Sequence, residues 1–308
     1  MKTSRIFSGV IAPASTPFGE DGMPDEDRFI EHCHWLLEDG CTALAPFGTT
    51  SEANSLGLDE RMELLEALVE SDIDPAKLMP GTGTCSVTDT INLTDHALDL
   101  GCGGVLMLPP FYYKNPSEDG LFRFFADVIE EISDDDLKVY LYHIPPIAQV
   151  GFSLPLIERL IKAYPKTIAG LKDSSGDWSN TKAIIEAFPM LEVFPGSEAF
   201  LLDGLKIGGA GCISASANVA AKKLRQLFDG WQGPDAARLH EEILGLRKTI
   251  QSYPMIPLLK AIIGHYRQDP GWSAVRPPFT PMSAADTAAA VKKLADTHGF
   301  KLDFADAA

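Results

Sequence analysis

The regular alternation of short apolar runs with amphipathic segments restricts the possible folds of this chain more than any other feature. The apolar runs are nearly continuous, which is typical of parallel strands covered on both faces. Eight strand–helix units in series predict a closed (β/α)8 barrel. The eight predicted strands are 10–16, 43–47, 78–81, 104–108, 138–142, 167–171, 191–194 and 211–214.

After residue 219 the pattern becomes helical only, with segments 220–229, 234–252, 256–266 and 284–297. Prolines stand at the joints between these segments, where they are tolerated, and not in helix interiors. We therefore predict a catalytic barrel domain over residues 1–229 and a small C-terminal helical domain over residues 230–308. The last stretch, 300–308, is expected to be a loosely held tail.

The charge balance restricts the partners of the protein. With 26 Lys and Arg against 43 Asp and Glu, the formal net charge is −17. A surface of this sign repels phosphate groups, so neither nucleic acid nor an anionic membrane is an expected partner. The first residues show no cleavage pattern, and no later run approaches the length of a membrane span, which predicts a cytoplasmic protein.

The cysteines and histidines do not form a recognisable metal motif. Five cysteines are scattered among mostly apolar neighbours, which predicts buried thiols rather than a disulfide framework. The closest approach to a metal motif is His32-Cys33-His34, within a predicted helix. Positions two apart on a helix point to different sides, so no metal site is expected there.

The catalytic surface of such a barrel is the rim at the carboxyl ends of the strands. The second predicted strand is followed by the turn 48–52, Gly-Thr-Thr-Ser-Glu. Its amides and hydroxyls could hold a carboxylate, or could simply cap the next helix. The fourth strand is followed by the aromatic loop 109–116, which suits a pocket wall or a subunit contact.

Two further side chains stand at the ends of neighbouring strands. The fifth strand ends on Tyr142, which by itself is more typical of a core residue, and the sixth leads to Lys172. Lys172 could be a structural partner of Asp173 or Asp177, or an amine that attacks a carbonyl carbon. An amine nucleophile needs burial, a proton carrier and an anchor for a carboxylate. The combination of three rim positions favours this second interpretation.

Several motifs in the same order resemble the dihydrodipicolinate synthase/N-acetylneuraminate lyase family. They are the turn 48–52, the tyrosines 112–113 before 116–121, the Tyr-His-Ile-Pro of 142–145, the Gly-Leu-Lys of 170–172, and 208–214. The resemblance spans the barrel from the first strand to the eighth and fits the helical tail. It implies a (β/α)8 barrel with a C-terminal helical domain, usually a homotetramer, and a lyase that requires no metal or organic cofactor.

The resemblance also implies roles for individual residues. Lys172 would form a Schiff base with pyruvate or a pyruvate-like keto acid, and Tyr142 would carry protons to and from the substrate. Thr50 would connect Tyr142 to a second tyrosine, donated across a subunit interface. Tyr113 resembles that second tyrosine, although the adjacent Tyr112 leaves the register open.

Substrate contacts are implied at a further set of positions. Thr49 and Thr50, with their amides, resemble the site for the keto-acid carboxylate. The rim also carries hydroxyl and acidic groups after the sixth and seventh strands, where lyase branches contact sugar-like hydroxyls. The remaining expected substrate contacts are Gly48, Ile213, Ser174 and Ser197.

One departure from the pattern affects the choice of substrate. Where the synthase of the family has an arginine that binds aspartate semialdehyde, this chain has Ile147. Losing that charge-assisted contact forfeits about 1.5–3 kcal/mol. We therefore favour an aldolase or dehydratase acting on a hydroxylated 2-keto acid. The alternatives are dihydrodipicolinate synthase itself and a non-catalytic keto-acid-binding protein on the same barrel.

Overall fold

The computed structural model describes residues 5–304, and within them the predicted architecture is confirmed. Parallel strands alternate with helices to form a (β/α)8 barrel, which further helices follow. Two hydrogen-bonded sheets, in the orders β2-β1-β7 and β3-β4-β5-β6, make up its wall. The strands are β1 Gly9–Ala12, β2 Ala43–Leu44, β3 Val105–Met107, β4 Val139–His143, β5 Ile168–Asp173, β6 Glu192–Pro195 and β7 Gly211–Ile213.

The third predicted strand, residues 78–81, closes the barrel without forming a regular ladder. Isolated parallel bridges join Leu78 to Leu44 and Gly81 to Leu106. The N–H of Met79 donates to the carbonyl of Leu44 at 2.8 Å. Pro80 stands in the middle of the segment and has no N–H to donate, which accounts for the interrupted ladder.

On the opposite side of the barrel a backbone hydrogen bond joins the two sheets. The N–H of Ala210 donates to the carbonyl of Val193 at 2.9 Å, beside the start of β7. The eight segments therefore form a continuous ring, with residues 78–81 between β2 and β3.

Helices cover the outside of the ring and form the C-terminal region. They are α1 Glu26–Glu38, α2 Leu58–Glu70, α3 Val87–Asp99, α4 Glu118–Ile132, α5 Pro145–Ala148, α6 Leu154–Ala163, α7 Trp178–Ala187, α8 Leu201–Lys206, α9 Ala217–Asp229, α10 Ala236–Gln251, α11 Met255–Arg267 and α12 Ala284–His298. No helix among residues 5–304 is long and apolar enough to cross a membrane. The division into domains at residues 229 and 230 stays a prediction.

The alternation along β4 separates two cores. Tyr140 and Tyr142 belong to a small cluster inside the barrel, whereas Leu141 belongs to the larger cluster between strands and helices. The period of two along a strand places the two tyrosines on one face, and in the structure that face is the inner one.

The tail segment is more firmly held than expected. Leu302 is buried, and the ring of Phe304 lies 4.6 Å from that of Trp35 on α1. Phe300 packs edge-on against Tyr266 of α11. The expectation of a loose tail is wrong for residues 300–304, because their apolar side chains are buried against helices. Residues 305–308 lie outside the described residues.

A buried carboxylate closes the end of the barrel opposite the predicted rim. Glu192 at the start of β6 accepts hydrogen bonds from the backbone N–H groups of Ile6 and Phe7 and from the hydroxyl of Tyr140. Burial is the main cause that raises the pKa of the Tyr140 hydroxyl, and the Glu192 charge adds to it. The hydroxyl therefore remains a donor to Glu192.

Replacing Glu192 with alanine is expected to lower the free energy of unfolding by about 3 kcal/mol, because two buried donors and one part-buried donor lose their acceptor. Urea denaturation followed by circular dichroism measures this loss. The matched variant Tyr140→Phe removes only one of the three bonds and should cost about 1 kcal/mol. Equal stability of Glu192→Ala and the parent protein would show that the N-terminal segment does not depend on this carboxylate.

Candidate active site

Lys172 and Tyr142 stand side by side on neighbouring strands. Their Cα positions are register partners in the parallel pair of β4 and β5. The Lys172 Nζ lies 4.2 Å from the centre of the Tyr142 ring, and both side chains are buried. β5 is the sixth predicted strand, and it ends at Asp173, two residues later than predicted. Lys172 therefore lies within the strand and is held by its hydrogen-bond ladder.

The nearby carboxylates do not pair with Lys172. Asp173 points the other way, since it accepts from the N–H and the hydroxyl of Ser175 and from the hydroxyl of Thr181. Asp177 caps helix α7 by accepting from the N–H of Ser179. No ion pair to Lys172 occurs within residues 5–304. The structural interpretation, a lysine held by Asp173 or Asp177, is therefore wrong.

Within the described part of the chain, the hydroxyl of Tyr142 has Thr49 as its side-chain partner. It lies 3.2 Å from the Thr49 Oγ1, so the two groups are within hydrogen-bond distance. The resemblance assigned this contact to Thr50, and the assignment is wrong because the geometry gives it to the preceding residue. Any relay from Tyr142 through this turn must pass through Thr49.

The turn 48–52 presents unused hydrogen-bond donors. The N–H groups of Thr49 and Thr50 have no acceptor within the described part of the chain, and neither has the hydroxyl of Thr50. Two carbonyls of the turn, by contrast, accept hydrogen bonds. The N–H of Glu52 donates to the Thr49 carbonyl, and the N–H of Ala53 donates to the Gly48 carbonyl. Free donors on a rigid turn are the arrangement that a carboxylate requires.

The backbone of this turn departs from ordinary geometry at both ends. Phe47 and Glu52 have φ values of 59° and 58°, in the left-handed region that side chains disfavour. Gly81 makes room for the first of them, because a Cβ there would lie 2.1 Å from the Phe47 carbonyl oxygen. Backbone strain of this kind persists where surrounding contacts enforce it, and functional sites are the usual place.

The other predicted substrate contacts differ in their burial and in whether their hydroxyls already have a hydrogen-bond partner. Ile213 on β7 is fully buried and packs in the same interior cluster as Tyr142. Ser174 is half-buried, and its hydroxyl has no partner among residues 5–304. Ser197 is less available, because its hydroxyl accepts from the N–H of Ala199 at the start of a short 3-10 helix. A Cβ on Gly196 would meet the Ser174 hydroxyl at 2.0 Å, so these two strand ends approach closely.

The carboxylates of Glu198 and Asp173 at the rim already accept hydrogen bonds from other groups of the protein. Glu198 is buried and pairs with Arg247 of α10 at 3.0 Å, while the Ser214 hydroxyl donates to the same carboxylate. Asp173 is likewise bound within its own loop. The expectation that acidic rim residues would contact sugar hydroxyls is therefore wrong for both, since internal donors satisfy them.

The aromatic loop lies outside this centre in the single chain. Tyr112 and Tyr113 are 74% and 79% exposed and contact each other edge-on. Lys114 joins the loop to α5 by a hydrogen bond, since its Nζ donates to the Ala148 carbonyl at 3.0 Å. Ile147, on the same short helix, is 62% exposed. These apolar surfaces form one side of the rim, and Tyr113 does not reach Tyr142 within one chain.

The histidines that the sequence singled out have internal partners. His143 accepts from the N–H of Phe152 through Nδ1, and burial lowers its pKa, although the Asp173 charge opposes this. Burial also lowers the pKa of His32 to about 3, and its Nε2 lies 3.0 Å from Asn218 Oδ1. His34 contacts the carbonyl of Ser71. All three therefore serve local structure.

Sequence reasoning missed two cations that reach the rim from the C-terminal helices. Arg247 pairs with Glu198, and Lys260 of α11 pairs with Glu52. Their partners lie 49 and 208 residues away in sequence. A signal existed for Lys260, since it interrupts the apolar run 255–263. Nothing comparable marks Arg247.

Comparison with known proteins is consistent across sequence and structure. The sequence pattern of the dihydrodipicolinate synthetase family matches residues 6–297. An uncharacterized DapA-like lyase of Chloroflexus aurantiacus is 33% identical over 283 residues, covering 91% of this chain and 94% of that protein.

Solved structures of similar fold belong to the same family. Dihydrodipicolinate synthase from Agrobacterium tumefaciens superposes with a TM-score of 0.87 at 32% identity, over 94% of this chain and 98% of the other. YagE, a prophage protein of the dihydrodipicolinic acid synthase family from E. coli K12, was solved in complex with pyruvate. It superposes with a TM-score of 0.86 at 27% identity, over the same shares of the two chains.

Proposed function

The chain belongs to the dihydrodipicolinate synthetase family of lyases, and from this premise we propose that Lys172 forms a Schiff base with a 2-keto acid. The observation that carries the proposal is the buried Lys172 amine beside the Tyr142 ring, with no carboxylate paired to it within residues 5–304. A paired ammonium would be held as a cation, whereas an attacking amine must lose its proton. The solved complex of YagE with pyruvate supports a keto acid as ligand.

The proposed reaction begins at the turn 48–52. The free N–H groups of Thr49 and Thr50 and the Thr50 hydroxyl would bind the substrate carboxylate. The Lys172 Nζ then attacks the keto carbon, and loss of water from the carbinolamine leaves an iminium. When the C3–C4 bond breaks, its electron pair forms a C2=C3 double bond while the C=N pair moves onto the iminium nitrogen. This leaves an enamine and releases C4, with its former hydroxyl oxygen, as an aldehyde.

Tyr142 would carry the protons of these steps. Its hydroxyl would give a proton to the departing water and accept one from the hydroxyl group that becomes the aldehyde. The Thr49 hydroxyl, 3.2 Å away, orients it and offers a path for the proton out of the centre. In the synthetic direction the same groups run the steps in reverse.

We favour a hydroxylated substrate because of the side of the rim near α5. Ile147 exposes an aliphatic side chain there, which cannot pair with a second carboxylate. Ser174 offers a hydroxyl that has no partner among residues 5–304, which suits a substrate hydroxyl. The proposed substrate class is therefore a 2-keto-3-deoxy sugar acid, cleaved by an aldolase or dehydrated after iminium formation.

The exposed tyrosines support the proposal that the protein assembles as a homotetramer. Two adjacent phenol rings at 74% and 79% exposure suit a contact with another subunit better than open solvent. In a homotetramer, Tyr113 of one subunit would extend the Tyr142–Thr49 pair of its neighbour. Light scattering of the purified protein measures the oligomeric state.

The substrate proposal is tested by steady-state assays with both substrate classes. Purified protein should release pyruvate from 2-keto-3-deoxy sugar acids and condense pyruvate with aspartate semialdehyde at least about tenfold less efficiently, as the missing charge-assisted contact requires. A preference for aspartate semialdehyde would establish the synthase instead. No turnover of either class, together with tight pyruvate binding, would favour a keto-acid-binding protein.

The synthase is the second candidate, since the Agrobacterium tumefaciens neighbour carries that name. The variant Ile147→Arg separates the two. It should raise kcat/KM for aspartate semialdehyde by roughly tenfold, because a guanidinium can bind the second carboxylate. Leu154→Arg, another exposed aliphatic position, serves as control and should leave the value unchanged. If Ile147→Arg also leaves it unchanged, position 147 does not select the substrate.

A further inference from the structure

A fully buried ion pair lies directly behind the turn 48–52. The Lys260 Nζ of α11 donates to Glu52 Oε1 at 2.8 Å, and neither side chain is exposed. The Lys260 ammonium also lies 4.3 Å from the centre of the Phe18 ring. The pair thus joins a C-terminal helix to the part of the rim that carries Thr49 and Thr50.

Glu52 is connected to the turn through its backbone as well as its side chain. Its N–H donates to the Thr49 carbonyl at 3.2 Å, and its backbone has a left-handed φ of 58°. The second carboxylate oxygen accepts from the N–H of Arg276 at 2.9 Å. Both oxygens are therefore held by the C-terminal region.

The rest of the turn is held by the Ala53 N–H on the Gly48 carbonyl, by the contact of the Thr49 hydroxyl with Tyr142, and by Thr16. The Thr16 hydroxyl donates to the Ser51 carbonyl at 2.8 Å, which anchors it to the segment after β1. The N–H groups of Thr49 and Thr50 have no partner among residues 5–304. Movement of Glu52 would consequently be transmitted to the two threonines.

Stability is a poor explanation for this pair. A buried ion pair often contributes nothing beyond what well-packed apolar side chains of similar size would, since both charges lose their hydration. The contribution that apolar residues could not replace is a directed, charge-assisted hydrogen bond, which holds Glu52 in one place.

We infer that Lys260 is a positioning residue of the active site: through Glu52 it fixes the turn that carries Thr49 and Thr50, and thereby the place of the substrate carboxylate. The inference rests on the proposed function of that turn. Lys260 itself does not touch the substrate. A displacement of about 1 Å in such a site can lower the rate up to a hundredfold.

The experiment compares variants that differ only in this pair. Lys260→Met leaves Glu52 without its cation, whereas the double variant Glu52→Gln/Lys260→Met removes both charges. Each is incubated with pyruvate and cyanoborohydride, and adduct formation is followed by mass spectrometry as a function of pyruvate concentration. Rates are expressed per folded protein, determined by circular dichroism, so a loss of stability alone does not change them.

The double variant is expected to fold and to show a half-saturating pyruvate concentration raised about tenfold, because the carboxylate site is displaced. Arg28→Leu is the matched control. Arg28 pairs with Asp269 of the C-terminal region at 2.6 Å but contacts no part of the turn. It should therefore lose only stability.

Parental adduct kinetics in the folded double variant would overturn the inference. If neither charge-deleting variant folds, Lys260→Arg is measured instead. Its larger head group should displace Glu52 and raise the half-saturating concentration, and an unchanged value would equally overturn the inference. Absence of an adduct in the parent protein is a separate result, which would reject the proposed function itself.

Discussion

Lys172→Met is expected to form no reduced adduct with pyruvate and to lose activity by roughly three orders of magnitude or more, the scale on which removal of a nucleophile acts. Methionine has a similar length and remains apolar, so it can fill the site between β4 and β6 without an amine. The parent protein should gain the mass of one pyruvate less one water plus two hydrogens. Intact-protein mass spectrometry after borohydride reduction measures both.

Two controls make this result specific. Lys206→Met removes an exposed lysine that pairs with Asp203 and should leave the adduct unchanged. Peptide mapping of the parent adduct should place it on the peptide that contains Lys172. An adduct of undiminished yield in Lys172→Met would reject the Schiff-base mechanism at this residue.

Tyr142→Phe is expected to lower kcat by about 10²–10⁴-fold, the usual contribution of a positioned proton carrier. The ring that packs beside Lys172 remains, and only the hydroxyl that faces Thr49 is removed. Pyruvate should still bind, because the proposed carboxylate contacts belong to the turn 48–52. Stopped-flow measurement of pyruvate release, together with the half-saturating concentration, separates binding from chemistry.

Tyr140→Phe is the matched control for this prediction. Tyr140 lies two residues earlier on the same face of β4, but its hydroxyl donates to Glu192 at 2.6 Å. Its loss should reduce stability and leave kcat unchanged. If Tyr142→Phe retained kcat within about twofold of the parent protein, the proton carrier would have to be another group.

Periodic features of the sequence predicted the fold well. The shared face of Tyr140 and Tyr142 follows from the period of two along a strand, and the helices follow from amphipathic spacing. The third barrel segment, residues 78–81, shows where prediction from periodicity fails. Its apolar run is present, but whether Pro80 allows a ladder depends on the neighbouring strands.

The candidate site was predictable residue by residue only in part. The proximity of Lys172 and Tyr142 followed from their places at adjacent strand ends. The choice between Thr49 and Thr50 did not, because both stand in an irregular turn with no fixed period. The partners of Asp173 and Glu198 also could not be predicted, since they depend on donors brought in by other segments.

The sequence by itself determined the barrel and the family, and it predicted candidate catalytic residues, because these depend on local periodicity and on motifs of neighbouring residues. Only the tertiary structure decided that Lys172 has no carboxylate partner in the described chain, that Thr49 contacts Tyr142, and that Lys260 pairs with Glu52. These contacts join segments up to 208 residues apart. Their geometry is set by the packing of whole elements against one another, which no local pattern records.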